Sequence, residues 1–316
     1  AFFFDSLPTA ISFSPDGSMM AVATFGGHGR IVDIGQMSVG EELVPQPTKS
    51  IELDYAWIVK LLFNDDGDVL IGASDRNLIR AWDVSTGKVL NTFRGQGENI
   101  RHMSISPDGE YLATVGRDNV TRLWELNPFV GIDRIISEAG NYLSGMAFSP
   151  DSSRVVIGNG WGQLEVRDMK TGELLALLGS ADPMQDFEML RYSPDGVHLA
   201  GMTRNGDVQL WNMLTGKLVK TLHGSRYPIM PLLAFNSDGS LLAVNSNHVG
   251  SHVRVWDVES GTVKFTSPAI DLCNHIEFSP DSSILYTMGH PADGGIRDWD
   301  MLKNEWLSFD RPALDS

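Results

Sequence analysis

Short apolar runs alternate with polar turn sequences along the whole chain, and the alternation repeats at a nearly constant distance. The residue that closes the first run of each unit is Phe13, Phe63, Ile105, Phe148, Tyr192, Phe235 or Phe278. The intervals between them are 50, 42, 43, 44, 43 and 43 residues. Self-similarity at such a period is the signature of a stacked-repeat architecture. Each unit reads as four short strands. The first is a run such as Ile58 to Phe63. A turn follows, as in Ser14-Pro15-Asp16-Gly17, Ser106-Pro107-Asp108-Gly109 or Ser193-Pro194-Asp195-Gly196. Residues 149–152, 279–282, 64–67 and 236–239 are close variants. Pro presets φ near −65°, Asp bonds nearby backbone, and Gly accepts positive φ. A second run comes next, as in Tyr111 to Val115 or Leu241 to Val244. After a polar loop comes a third strand, then a Thr-Gly turn such as Ser85-Thr86-Gly87-Lys88, then a fourth strand such as Val89 to Phe93 or Leu218 to Leu222.

The third strand carries a recurring indole, in RNLIRAWDVSTGK at 76–88, NVTRLWEL at 119–126, GDVQLWNMLTGK at 206–217, SHVRVWDVESG at 251–261 and GIRDWDM at 295–301. Turn signals every eight to twelve residues exclude long helices. Four antiparallel strands per unit of this length form the blade of a β-propeller. One such sheet cannot bury both faces alone, so blades stack. The Trp is then an inter-blade packing device. Burying it removes roughly 150–250 Å² from water, worth about 4–6 kcal/mol as an upper bound. The Asp after it ends the strand by accepting backbone N–H bonds.

The run from Ser106-Pro107-Asp108-Gly109 through Leu112-Ala113 to Arg122-Leu123-Trp124 resembles the WD-repeat family, and the resemblance covers essentially the whole chain. It implies an all-β fold: one seven-bladed β-propeller over 1–316, with blades near 9–53, 58–94, 100–136, 143–178, 187–222, 230–266 and 273–309. It also implies a platform for binding other proteins. The family often places a Gly-His pair ahead of the first strand, and that His bonds a turn Asp in a relay reaching the Trp. Here Gly95-Gln96, Gly179-Ser180 and Gly224-Ser225 lack the His. The turn Asp six residues before the Trp survives as Asp118 and Asp293, and Val32 and Arg167 replace the Trp in units one and four. The polar network is therefore largely missing, and packing carries the stability. Two segments compete to close the last blade: Phe2-Phe3-Phe4, and Glu305 to Phe309. The second is favoured, because a local hairpin closes with less loop entropy.

Charge narrows the partners. Lys plus Arg is 24 against 40 for Asp plus Glu, a net charge of −16. Such a chain repels nucleic-acid backbones and anionic lipid surfaces, and no apolar run is long enough for a membrane span. The single cysteine, Cys273, rules out an internal disulfide and fits a reducing, cytoplasmic compartment. The start at Ala1 suggests a piece of a longer polypeptide with further domains.

No catalytic signature stands out, and the reading is non-enzymatic with no cofactor and no metal. His248 and His252 have helical metal spacing but lie in a loop sequence. Gly158 to Gly162 is glycine-rich, yet no helix follows it to bind phosphate. The stronger feature is geometric. The links entering each first strand and the turns between second and third strands share one end of the blades. This loop face carries Tyr55, Trp57, Asn99, Arg101, Tyr142, Trp161, Asp182, Asp186, Arg204, Arg226, Tyr227 and His290. Aromatic and arginine side chains dominate binding hot spots. The expectation is a scaffold or sensor domain of a larger protein, binding a protein or peptide through Tyr55, Trp57, Asn99, Arg101, Tyr142, Trp161, Asp186, Arg204, Arg226 and Tyr227. The alternative is a small-ligand-binding or enzymatic propeller using the central channel. The longer link of unit one, Gly35 to Pro47, and the similar stretch Asn127 to Gly131 read as surface insertions.

Overall fold

The structure, a computed structural model, describes residues 8–24, 28–33, 49–52, 58–64, 66–94, 97–126, 134–138, 145–159, 161–179, 186–224, 231–246, 252–267, 273, 275–279, 281–288 and 296–306. It is a seven-bladed β-propeller built of seven four-stranded antiparallel sheets, and none of the described residues is helical. Among them no helix is long and apolar enough to cross a membrane.

The chain divides into two compact units. Residues 1–186 carry four blades. Blade one is β1 (Pro8–Phe13), β2 (Met19–Thr24), β3 (His28–Asp33) and β4 (Lys49–Glu52). Blade two is β5 (Ile58–Phe63), β6 (Val69–Ser74), β7 (Ile79–Asp83) and β8 (Val89–Phe93). Blade three is β9 (Ile100–Ile105), β10 (Tyr111–Gly116), β11 (Val120–Glu125) and β12 (Arg134–Glu138). Blade four is β13 (Met146–Phe148), β14 (Arg154–Gly158), β15 (Leu164–Asp168) and β16 (Leu174–Leu178). Residues 187–316 carry three blades. Blade five is β17 (Phe187–Tyr192), β18 (His198–Thr203), β19 (Val208–Asn212) and β20 (Lys217–Leu222). Blade six is β21 (Pro231–Phe235), β22 (Leu241–Ser246), β23 (Val253–Asp257) and β24 (Val263–Thr266). Blade seven is β25 (His275–Phe278), β26 (Ile284–Met288), β27 (Ile296–Asp300) and β28 (Glu305–Trp306). The strands pair in chain order within each blade. β28 pairs with β27 through Trp299 and Trp306 and through Asp300 and Glu305. The C-terminal segment therefore supplies the fourth strand of blade seven, as its hairpin predicts. Phe2, Phe3, Phe4, Gly35 to Pro47 and Asn127 to Gly131 lie outside the described residues.

The turn between first and second strands is one device used repeatedly. Ser14 Oγ donates to Asp16 Oδ1 at 2.5 Å and accepts from Met19 N–H at 2.9 Å, while Asp16 Oδ1 accepts from Ser18 N–H at 3.0 Å. Ser106 with Asp108, Ser149 with Asp151, Ser193 with Asp195 and Ser279 with Asp281 repeat the Ser–Asp bond. Gly17, Gly109 and Gly196 hold the positive φ, and Ser152 and Ser282 hold it in the variants, at 55° and 60°. In blades two and six Asn64 and Asn236 replace the serine and accept from Val69 and Leu241 N–H.

Core clusters lie between successive blades within each unit. Four third-strand indoles face the preceding blade. Trp82 packs with Ala21, Ile31 and Ile51 of blade one. Trp124 packs with Ile71, Ile79 and Phe93 of blade two, its ring 5.7 Å from Phe93 and edge-on. Trp299 packs with Val253 and Val255 of blade six, and Trp256 packs against Met202, Val208 and Leu210 of blade five. The opposite side of the same strand faces the next blade, because neighbouring strand residues point to opposite faces. Ile79 and Ala81 accordingly meet Met103 and Leu112 of blade three. Blade four uses polar chemistry at this place. Arg167 pairs with Glu165 at 2.8 Å and donates to Gly172 O, and Ser137 of blade three donates to the same Glu165 carboxylate at 2.9 Å.

Candidate functional site

The strand register fixes which loops share one end. Gly116, at the end of β10, pairs with Ile100, at the start of β9, and Arg117 N–H donates to Asn99 O at 2.9 Å. In blade four Gly158 N–H donates to Gly145 O at 2.9 Å in the same way. The link into the first strand and the turn between second and third strands therefore meet at one end of each of these blades.

Those turns are braced from within. In blade two Ser74 Oγ accepts from Arg76 and Leu78 N–H at 3.2 Å each, and Asn77 takes φ 62°. In blade four Asn159 Oδ1 accepts from Trp161 and Gln163 N–H at 3.0 Å each, and Gly162 takes φ 72°. In blade five Thr203 Oγ1 bonds Asn205 and Asp207 O, and Gly206 takes φ 89°. A short polar side chain at the strand end thus replaces the turn's missing ladder bonds. These braced turns carry Arg76 in blade two, Trp161 in blade four and Arg204 in blade five, and all three are exposed.

Two carboxylates tie this end to a link between blades. Asp118 accepts from Gly97 N–H at 2.9 Å, from Val120 N–H at 3.2 Å and from Arg122 Nη1 at 2.7 Å. Burial raises its pKa, but the bonds from Gly97, Arg122 and Val120 outweigh burial and hold the carboxyl below its usual range. In blade five Asp207 Oδ1 lies 3.3 Å from both Gly224 N and His223 Nδ1. This contact joins the turn of blade five to the link leaving its fourth strand, with the Asp four residues before Trp211 rather than six, so it is not the His–Asp contact of the resemblance.

Of the ten predicted contact residues, five are described. Asn99 and Arg204 are exposed, and Trp161 is exposed at 45%. Arg101 is half-buried on β9, and Asp186 is buried directly ahead of β17. Tyr55, Trp57, Tyr142, Arg226 and Tyr227 lie outside the described residues, as do Asp182 and His290. Within the first unit, Arg76 and the exposed Arg117 stand at the same end as Asn99 and Trp161. Neither arginine was reached from sequence. The available signal was alignment of the turns, since Asp75-Arg76-Asn77 and Arg117-Asp118-Asn119 occupy the place of Arg204-Asn205-Gly206. His252, the described member of the spaced histidine pair, has Nδ1 at 2.6 Å from Ser267 O. Among the described residues no group of three or more His, Cys, Asp and Glu is arranged to hold a metal ion.

Blade after blade of this construction defines a repeat propeller that displays rigid turns at one end. Residues 87–125 match the family described as WD domain, G-beta repeat; they run from the turn before β8 to the end of β11. The chain is a seven-bladed β-propeller similar to WD-repeat proteins. It is 29% identical over 194 residues to nuclear distribution protein nudF of Aspergillus niger, covering 61% of this chain and 38% of that protein. It is 26% identical over 214 residues to WD repeat-containing protein 1 of Bos taurus, covering 66% of this chain and 34% of that protein. It is 30% identical over 147 residues to autophagy-related protein 16 of Arabidopsis thaliana, covering 45% of this chain and 28% of that protein. The chain thus spans well under half the length of these curated relatives. WD-repeat propellers generally mediate interactions between proteins.

Proposed function

We propose that this propeller is a non-enzymatic scaffold or sensor domain of a larger protein, capturing a protein or peptide on the end of the blades that carries Arg76, Asn99, Arg117 and Trp161. The observation that supports this most is Trp161. A large indole sits exposed at the tip of a turn that Asn159 holds through two backbone bonds. An exposed aromatic on a braced turn loses little entropy on binding, which is the property of a hot-spot anchor. The arginines at the same end belong to a chain of net charge −16, so a partner segment with acidic and apolar groups fits this end better than the rest of the surface. Trp57 is proposed for the same face. A cytoplasmic setting is part of the proposal, with Cys273 as the lone and buried cysteine.

The test is capture from native lysate by the wild-type chain and by Trp161→Ala combined with Arg117→Ala. The substituted side chains are exposed, so stability should change by less than about 0.5 kcal/mol. Loss of the captured set with an unchanged melting temperature supports the face. An unaltered captured set removes it.

A further inference from the structure

The fourth strand of blade four differs from its counterparts. β16 is Leu174-Leu175-Ala176-Leu177-Leu178. It pairs with β15 alone, and its other edge is open among the described residues. Leu174 is 45% exposed, Leu175 48% and Leu177 49%, so apolar surface faces solvent on both sides of the strand. An open, apolar edge is a template for another strand, and proteins normally blunt it with lysine or other polar residues. The other six fourth strands follow that rule. β4, β12, β20, β24 and β28 each carry Lys, Arg or Glu, and β8 carries Asn91 and Thr92. Only β16 has no polar side chain.

The sequence of β16 also reads the same in both directions. Antiparallel pairing with its own copy about a two-fold axis through Ala176 sets Leu174 against Leu178 and Leu175 against Leu177. The flanking Glu173 then faces Gly179, so no like charges meet. This matters in a molecule of net charge −16, whose copies otherwise repel. Leucine against leucine across the two-fold is the self-complementary contact that an isologous dimer requires.

We propose that β16 is a homodimerisation edge: two copies of the chain join these strands antiparallel, centred on Ala176, into one continuous eight-stranded sheet. The pairing supplies backbone ladder bonds in register and covers the exposed leucines, the mode by which a sheet edge accepts an added strand. Two five-residue strands make a small contact, so the dimer belongs to the weak class below standard interface size. Strand edges rather than strand ends form the contact, leaving the turn end of the blade bearing Trp161 free.

Sedimentation of the full chain, at rising concentrations to about 100 µM, tests this, a range suited to weak association. The wild type should form a concentration-dependent dimer. Leu175→Lys and Leu177→Lys should each weaken it by at least about tenfold, while Val219→Lys on β20 leaves it unchanged. Ala176→Cys should give a covalent dimer on mild oxidation. The wild type, whose only cysteine is buried, should not. The cross-link decides the matter even if a lysine variant fails to fold. A wild type that stays monomeric throughout, a dimer indifferent to both lysines, or an Ala176→Cys chain that does not cross-link overturns the proposal. The first of those results would leave the edge to a different protein.

Discussion

The indole N–H of Trp124 donates to Thr114 Oγ1 at 2.9 Å, both groups being buried. The bond crosses from the third strand of blade three to the second, diagonally, since Thr114 lies opposite Arg122 and Leu112 lies opposite Trp124. In blade five the residue at the place of Thr114 is Gly201, opposite Gln209. Trp211 is 5% exposed, and its indole N–H has no hydrogen-bond partner among the described residues. Blade two also has glycine there, Gly72 opposite Arg80. A Cβ on Gly72 would lie 2.8 Å from the Trp82 ring. Thr114 thus supplies in blade three an indole acceptor that Gly201 does not supply in blade five.

Thr114→Val removes the acceptor while keeping the shape, leaving a buried donor unpaired at a cost of about 1–3 kcal/mol. Trp124→Phe should cost more than Trp211→Phe by about 1–2 kcal/mol, because the second change also removes a donor that is already unpaired. Urea denaturation of the three variants measures both differences. Equal costs for the two Trp→Phe changes would remove the bond from the stability of blade three.

Gly201 leaves room for a ring rather than a turn. A Cβ there would lie 2.7 Å from Phe187 Cδ1, and Phe187 is fully buried and unable to retreat. Gly201→Ala should therefore destabilise by about 1–3 kcal/mol through overpacking. A variant as stable as the wild type would show that Phe187 has an alternative rotamer.

Acid should unfold the chain through its turns. The Ser14 hydroxyl, with the Ser18 N–H and hydroxyl, holds the Asp16 carboxyl at about 2. Asp151, Asp238 and Asp281 are lowered for the same reason, Ser149, Ser240 and Ser279 being the leading donors. A carboxyl depressed in the folded state contributes stability above its unfolded value. That contribution disappears as pH falls through the folded value. The melting temperature should hold steady above about pH 5 and fall between about pH 4 and 2. Asp16→Asn should flatten part of that fall in a pH series of thermal melts.

Asp298 has the opposite sign. Its carboxyl is raised by burial, and it stands opposite Tyr286 across the β26–β27 ladder. The Tyr286 phenol is itself raised, by burial and then by the Asp298 charge. The ionised carboxylate is penalised in the folded state above its folded pKa, and the penalty vanishes once pH falls below the unfolded value. Asp298→Asn should therefore raise the melting temperature at pH 7 and give no gain near pH 3. A loss at pH 7 would show that the carboxylate makes a favourable contact.

Much of the candidate face was legible because turn chemistry is local. Asn159 to Gln163 and Thr203 to Asp207 announce braced turns within five residues, and Trp161 and Arg204 follow from them. Arg76 and Arg117 were missed because their importance lies in standing at the same end of successive blades. Asp186 was read as a loop contact and is buried, since its exposure depends on what packs around the start of β17. The His223–Asp207 contact was missed because it joins residues on either side of β19 and β20.

Sequence by itself determined the number of blades, the four strands in each, the Ser–Asp turns and the use of the third-strand indole as packing. All of these rest on side-chain alternation and on bonds spanning a few residues. Tertiary structure alone decided that Trp82, Trp124, Trp256 and Trp299 face the preceding blade, that Thr114 bonds Trp124 while Gly201 leaves Trp211 unpaired, and that Ser137 of blade three joins the Arg167–Glu165 pair. Those outcomes depend on cross-strand neighbours ten or more residues away and on side chains from adjacent blades. No local pattern encodes such distances; only the register and the packing of finished sheets set them.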